Sequence, residues 1–266
     1  MTSPKSTAPS QSRDLAAEDL TCDAITADFR IYQRRRGHRF SLDDLATAWD
    51  AVAARPDAQR YVDLGCGIGS VLHMVVWSLR RAGGLAFALG VEAQAASLAL
   101  CRRSLAHNRI EALVTLWHGD LREVAAAWRE ERVDLVTGTP PYLPLGTAVV
   151  SPDPQRAGAR MELLGGVEDY LAAAARLLRP SGRAVICADG RRPERVVEGA
   201  RAAGLVPLRR RDLWPHAGAQ HPLLSVWTLA PLAGAAPPLE HLRTDVRDPA
   251  GARTAEALAM RAAFGL

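Results

Sequence analysis

Two rhythms of hydrophobic residues alternate along most of the chain. Short, nearly unbroken apolar runs at 61–64, 85–91, 113–117, 133–136 and 183–188 are separated by longer stretches whose apolar residues return every three or four positions. The first rhythm predicts strands and the second amphipathic helices. Ser70–Arg81 places Val71, Met74, Val75 and Leu79 on one helical face; 95–106, 121–130, 167–178 and Pro193–Ala203 repeat the pattern. Pro180 and Gly182 stop the fourth of these helices. Strands that are apolar on both faces, alternating with helices, predict an α/β fold whose parallel sheet is covered on both sides. Two more strands, 205–212 and 223–229, complete the sheet across a polar loop with Pro215, His216, Gly218 and Pro222. Arg209, Arg210 and Arg211 read as charges on an edge strand that discourage pairing with another chain.

The ends follow neither rhythm. The first residues are polar and rich in Ser, Thr and Pro, without the apolar centre of a secretory signal, so 1–27 reads as a disordered tail. Residues 28–56 form an N-terminal cap segment: a basic turn, Arg34-Arg35-Arg36-Gly37, precedes Ser41, which caps a helix with Asp43 and Asp44 in its first turn. The catalytic domain is expected over 57–230, and 231–266 is a Pro-rich C-terminal extension ending in a helical pattern.

Composition narrows the class without deciding it. Apolar residues make up 48% and charged residues 23% of the 266, as in an ordinary globular protein, and no apolar run reaches membrane-spanning length. Cys22, Cys66, Cys101 and Cys187 are scattered without metal-ligand spacing, which suits a reducing, cytoplasmic setting and gives no metal site. His216 and His221 lack partners for a metal, and His118 reads as a loop residue. A net charge of +4 permits a nucleic-acid partner.

Candidate chemistry gathers at strand ends, where open α/β sheets bind ligands. The first core strand ends in Asp63-Leu64-Gly65-Cys66-Gly67-Ile68-Gly69-Ser70, the second in Glu92, and the third in His118-Gly119-Asp120-Leu121. Alternating glycines let the backbone turn and approach a ligand, and the helix behind them presents free N–H groups. Glu92 is placed to accept from a ribose diol and Asp120 from an adenine amino group. A nicotinamide dinucleotide site competes for this pattern, but its fingerprint wants Gly or Ala where Ser70 stands.

Asp-x-Gly-x-Gly-x-Gly at Asp63, Gly65, Gly67 and Gly69 resembles the first motif of class I S-adenosylmethionine-dependent methyltransferases. The resemblance implies a Rossmann-like class I methyltransferase fold, with a seven-stranded, mostly parallel sheet and helices on both faces. It also implies S-adenosylmethionine as cofactor, held by these four residues with Glu92, Asp120 and Leu121. Thr139-Pro140-Pro141-Tyr142, at the fourth strand end, resembles the [Asn/Asp/Ser]-Pro-Pro-[Tyr/Phe/Trp] motif of methyltransferases acting on planar amino nitrogens. There the polar side chain and the first Pro carbonyl orient the nitrogen, and the aromatic ring stacks on it. Thr139 stands where adenine and glutamine modifiers usually carry Asn or Asp. Its hydroxyl accepts one hydrogen bond at shorter reach, so the acceptor is either an adenine held closer or another amino nitrogen.

The run from Tyr32 to Asp43, and the insertion carrying Asp153, Arg156, Ala157, Arg160 and Gly166, are similar to bacterial tRNA (valine) adenine-N6 methyltransferases. That likeness implies transfer to adenine N6 in tRNA or another RNA, with Arg156 and Arg160 gripping phosphate. Two alternatives are a small-molecule or protein acceptor, and a non-catalytic cofactor-binding protein. Oligomeric state is not legible.

Overall fold

In the computed structural model, which describes residues 19–129, 131–144, 146 and 151–266, the chain opens on an antiparallel hairpin, β1 (Leu20–Ala24) and β2 (Arg30–Arg34). α1 (Leu42–Ala54) follows, with the Asp44 carboxylate accepting from the Ser41 amide at 2.9 Å as the cap pattern predicts. Then come β3 (Arg60–Leu64), α2 (Ser70–Arg81), β4 (Phe87–Glu92), α3 (Ala95–Asn108), β5 (Val114–His118), α4 (Leu121–Ala127) and β6 (Val133–Gly138). The second half holds α5 (Pro154–Arg160), α6 (Val167–Leu177), β7 (Leu178–Ala188), α7 (Pro193–Ala203), β8 (Leu205–His216), β9 (Leu224–Pro231), β10 (Glu240–Arg247) and α8 (Ala255–Ala262).

The main sheet runs β10-β8-β9-β7-β6-β3-β4-β5 and only β9 lies antiparallel to its neighbours. Strand order reverses between β3 and β6, which puts the end of β3 at the switch point. Side chains of β3 alternate between two cores. Tyr61 packs with α1, α2 and α3, whereas Val62 and Leu64 pack with α4, α6 and α7. Val71, Met74, Val75 and Leu79 are buried, as their spacing predicts.

Three expectations change. The sheet has eight strands, not seven, because β10 pairs in parallel with β8. Its inward face carries one buried residue, Thr244, so no apolar rhythm announces it. β8 is therefore interior, and its arginines are paired rather than guarding an edge. Arg209 meets Glu240 at 2.6 Å, Arg210 meets Asp212 at 2.7 Å, and buried Arg211 meets Asp50 at 3.1 Å. The expected tail through residue 27 is ordered where it is described. β1 lies within it, the Ala27 amide donates to the Phe264 carbonyl at 2.7 Å, and residues 1–18 lie outside the described residues.

Among the described residues no helix is long and apolar enough to cross a membrane, no cluster of His, Cys, Asp and Glu fits a metal, and all four cysteines are free.

Candidate active site

The loop from β3 to α2 makes three left-handed turns in five residues: φ is +61° at Gly65, +57° at Gly67 and +91° at Gly69. L-residues adopt these angles at a cost, so the glycines answer a backbone demand. Each also answers a different spatial one. A Cβ on Gly65 would strike the Tyr170 hydroxyl, and one on Gly69 would lie 2.6 Å from Cys101 Sγ. A Cβ on Gly67 would meet nothing within 4 Å.

That open space belongs to a cavity at the carboxyl ends of β3, β4, β5 and β6. Gly65, Gly67, Glu92, Asp120, Leu121, Thr139 and Pro141 line it, so seven sequence-predicted residues converge. Glu92 braces the loop: Oε2 accepts from the Gly67 amide at 2.8 Å and Oε1 from the Gln94 amide at 2.6 Å. Burial raises its carboxyl above the usual range, against the pull of those amides. Asp120 caps α4 by accepting from the Arg122 amide at 2.8 Å, and Arg122 also grips both its oxygens at 2.9 and 2.6 Å. Those bonds hold the carboxyl below its ordinary pKa. The amide of Leu121 belongs to the first turn of α4, where N–H groups lack helical partners.

Other predicted residues fall outside this cavity. Asp63 is buried beneath the loop and accepts from the Thr137 hydroxyl at 2.6 Å, which in turn lies 2.6 Å from the Tyr61 hydroxyl. Burial drives its carboxyl up to about 7, against the pull of Thr137 and the Leu72 amide. Gly69, at the N-cap of α2, also stays out of the cavity wall. The tetrapeptide divides: Thr139 and Pro141 border the large cavity, while Pro140, Pro141 and Tyr142 border a second of about 240 Å³ with Glu162, Asp189 and Arg192. The Tyr142 hydroxyl lies 2.9 Å from Cys187 Sγ and 3.4 Å from Asp43 Oδ2. Arg156 and Arg160 are exposed on α5, whose Gly158 and Ala159 roof the large cavity.

Three cavity residues carry no motif. His38 follows the basic turn; burial lowers its imidazole pKa, opposed by Asp43 and reinforced by Arg156 and Arg160. Asp44, read in the sequence only as a first-turn acid, is buried in the wall, and burial followed by Asp43 raises its carboxyl well above the usual range. Tyr170 of α6 fits because Gly65 and Gly138 lack the Cβ atoms that its ring would strike.

A family model described as the methyltransferase small domain matches residues 40–197, a span from just before α1 into α7. The chain belongs to the methyltransferase small domain family. A release factor glutamine methyltransferase from Caulobacter vibrioides is 30% identical over 177 residues, 62% of this chain. The match spans 58% of that relative's own length. A predicted O-methyltransferase from Agrobacterium tumefaciens superposes with a TM-score of 0.64 at 16% identity, covering 84% of this chain and 97% of that one. A Listeria monocytogenes protein assigned to the class I S-adenosylmethionine-dependent methyltransferases gives 0.56 at 17% identity, with 85% and 74% covered. At these identities the solved structures speak for the fold, which is Rossmann-like.

The residues present fit the cofactor that this fold implies. The cavity opens at the switch point of the sheet, where open α/β folds bind their ligands, and Gly67 leaves space at its wall that a side chain would enter.

Proposed function

We propose that the chain transfers a methyl group from S-adenosylmethionine to an amino nitrogen, with adenine N6 in tRNA as acceptor. The observation that carries the donor side of this reading is Gly67, a left-handed glycine at the cavity wall, open in front and braced behind by buried Glu92. The glycine loop backs the methionyl part. Glu92 holds the Gly67 and Gln94 amides and lines the cavity, where its carboxylate can accept from a ribose hydroxyl. Asp120 and the Leu121 amide border the adenine. Asp63 acts one layer down, through the Thr137 hydroxyl and the loop above it. When bound, S-adenosylmethionine supplies an electrophilic methyl on a sulfonium centre, so an in-line displacement needs no strong base.

The work left to the chain is orientation. The Thr139 hydroxyl and the Pro140 carbonyl accept the two N–H bonds of the acceptor, which aims its lone pair at the cavity. Pro141 and the Tyr142 ring border its plane from the second chamber. Arg156 and Arg160 meet phosphate at the roof. A second reading, a protein side-chain amide as acceptor, draws on the name of the Caulobacter relative and on the short reach of Thr139.

The test is incubation with methyl-labelled S-adenosylmethionine and unmodified tRNA, followed by nucleoside mass spectrometry. N6-methyladenosine is expected. Label in protein and none in tRNA would replace the acceptor, and absence of calorimetric binding of S-adenosylmethionine would defeat the whole reading.

A further inference from the structure

The hairpin and α3 continue the roof of the cavity as a cationic surface, of which the reading above uses only the Arg156 and Arg160 end. β2 lies along α3: the Arg30 amide donates to Asn108 Oδ1 at 2.8 Å and the Tyr32 amide to Ser104 Oγ at 2.9 Å. On the outer side, the Arg103 guanidinium covers the Tyr32 ring at 4.2 Å, and His107 meets the same ring edge-on at 5.6 Å. At the far end of β2, Arg34 reaches Asp153, the N-cap of α5, at 2.8 Å. Arg156 Nε donates to the Gly37 carbonyl at 3.3 Å. Arg156 and Arg160 are both close enough to lower the pKa of His38 in the cavity wall.

These contacts trace one band from Arg103 through Tyr32 and the turn at Arg36 to Arg156, Arg160 and the cavity mouth. Asp19 and Asp153 are committed to Arg34 and Asp23 to Arg39, while Asp43, beside His38 at the cavity end, takes hydroxyl partners. Arg36, Arg103, Arg156 and Arg160 are exposed, and none has an ion pair among the described residues.

We propose that this band is the docking track for the RNA that presents the methyl-accepting base, with the β1–β2 hairpin as its outer half. The inference rests on the RNA reading above and extends it to a surface. Four exposed cations without carboxylate partners among the described residues, carried by α3, α5 and the turn after β2, suit a chain of evenly spaced phosphates. A protein acceptor would have to match each of them with an acid of its own. Phosphate contacts fix register without reading bases, so the track positions the RNA while the cavity selects the base. Each contact contributes a slope of about −0.7 to −0.9 in log affinity against log salt.

Two double variants of the full chain, R36E/R103E and R156E/R160E, test it against R201E, a control on α7 at the other end of the sheet. Binding of bulk tRNA is measured from 50 to 200 mM salt, values that bracket roughly physiological ionic strength, with calorimetric S-adenosylmethionine binding as the check that R36E/R103E is folded. Each double variant is expected to bind about tenfold or more weakly and to lose about two from the slope, while R201E matches wild type. Unchanged affinity and slope in both double variants, with tRNA still methylated, would overturn the track and leave the acceptor reading standing. Wild-type protein that binds no tRNA at any salt would overturn both.

Discussion

Alanine at Gly67 separates the two demands on the glycine loop, conformation and space. At φ +57° an L-residue costs about 1–2 kcal/mol, and the stiffer unfolded chain returns about 0.4–1 kcal/mol. With nothing within 4 Å of the new Cβ, no packing term is added, so the net loss is about 1 kcal/mol. In a chain this size that moves Tm by about 2–4 °C. G69A carries the same backbone cost at φ +91°, and its Cβ would also stand 2.6 Å from Cys101 Sγ and 2.9 Å from His73 Nδ1. Overpacking of that kind adds about 1–3 kcal/mol. Thermal unfolding should therefore rank wild type above G67A and G67A above G69A. Calorimetric titration with S-adenosylhomocysteine should rank them differently. G67A projects a methyl group into the cavity and is expected to lose about tenfold or more in affinity, about 1.4 kcal/mol, from a protein that is nearly as stable as wild type. If G67A binds as wild type does, the loop is a turn and not a cradle, and the reading of the cavity fails with it.

Asp63 gives a pH signature. Its folded pKa of about 7 lies above an unfolded value of about 3.9, so its stabilisation is complete below the unfolded value and is lost as pH rises through about 7. D63N keeps an oxygen for Thr137 and removes that titration. Between pH 5 and 8 its stability to urea should fall less than that of wild type, by a difference of at most ~2.7 kcal/mol, and parallel curves would refute the assignment. R211M strands the Asp50 carboxyl, whose pKa burial already raises with Arg211 beside it, and breaks a bond to Thr244 at 3.0 Å. A loss of about 3–5 kcal/mol is expected by chemical denaturation, and a loss under 1 kcal/mol would mean that β10 and β8 do not depend on this buried pair.

Legibility followed the apolar signal. β3, β4 and β6 were readable because both their faces are buried, one against α1, α2 and α3 and the other against α4, α6 and α7. β10 was not, since an edge strand with Thr244 as its buried residue looks like a polar loop. α5 was hidden by its seven-residue length and by Gly158, which lets the helix approach Gln94. At the site, sequence spacing located the glycine loop, Glu92 and Asp120, because each ends a strand. It did not reveal that Arg122 occupies Asp120, or that the Tyr142 hydroxyl turns toward Cys187, 45 residues away. His38, Asp44 and Tyr170 reach the cavity through packing, and Tyr170 does so only where Gly65 and Gly138 omit a side chain.

Pro141 borders both chambers. Its ring fixes φ, so the stretch of wall it supplies to each has one backbone torsion fewer with which to absorb displacement. Where a displacement on one side moves that residue, thermodynamic linkage makes the exchange even-handed. Whatever factor an occupant of the large chamber imposes on affinity in the small one, the occupant of the small chamber imposes in return. On the proposed reading, methyl donor and acceptor would then change each other's affinity by one and the same factor, set by the residue they share.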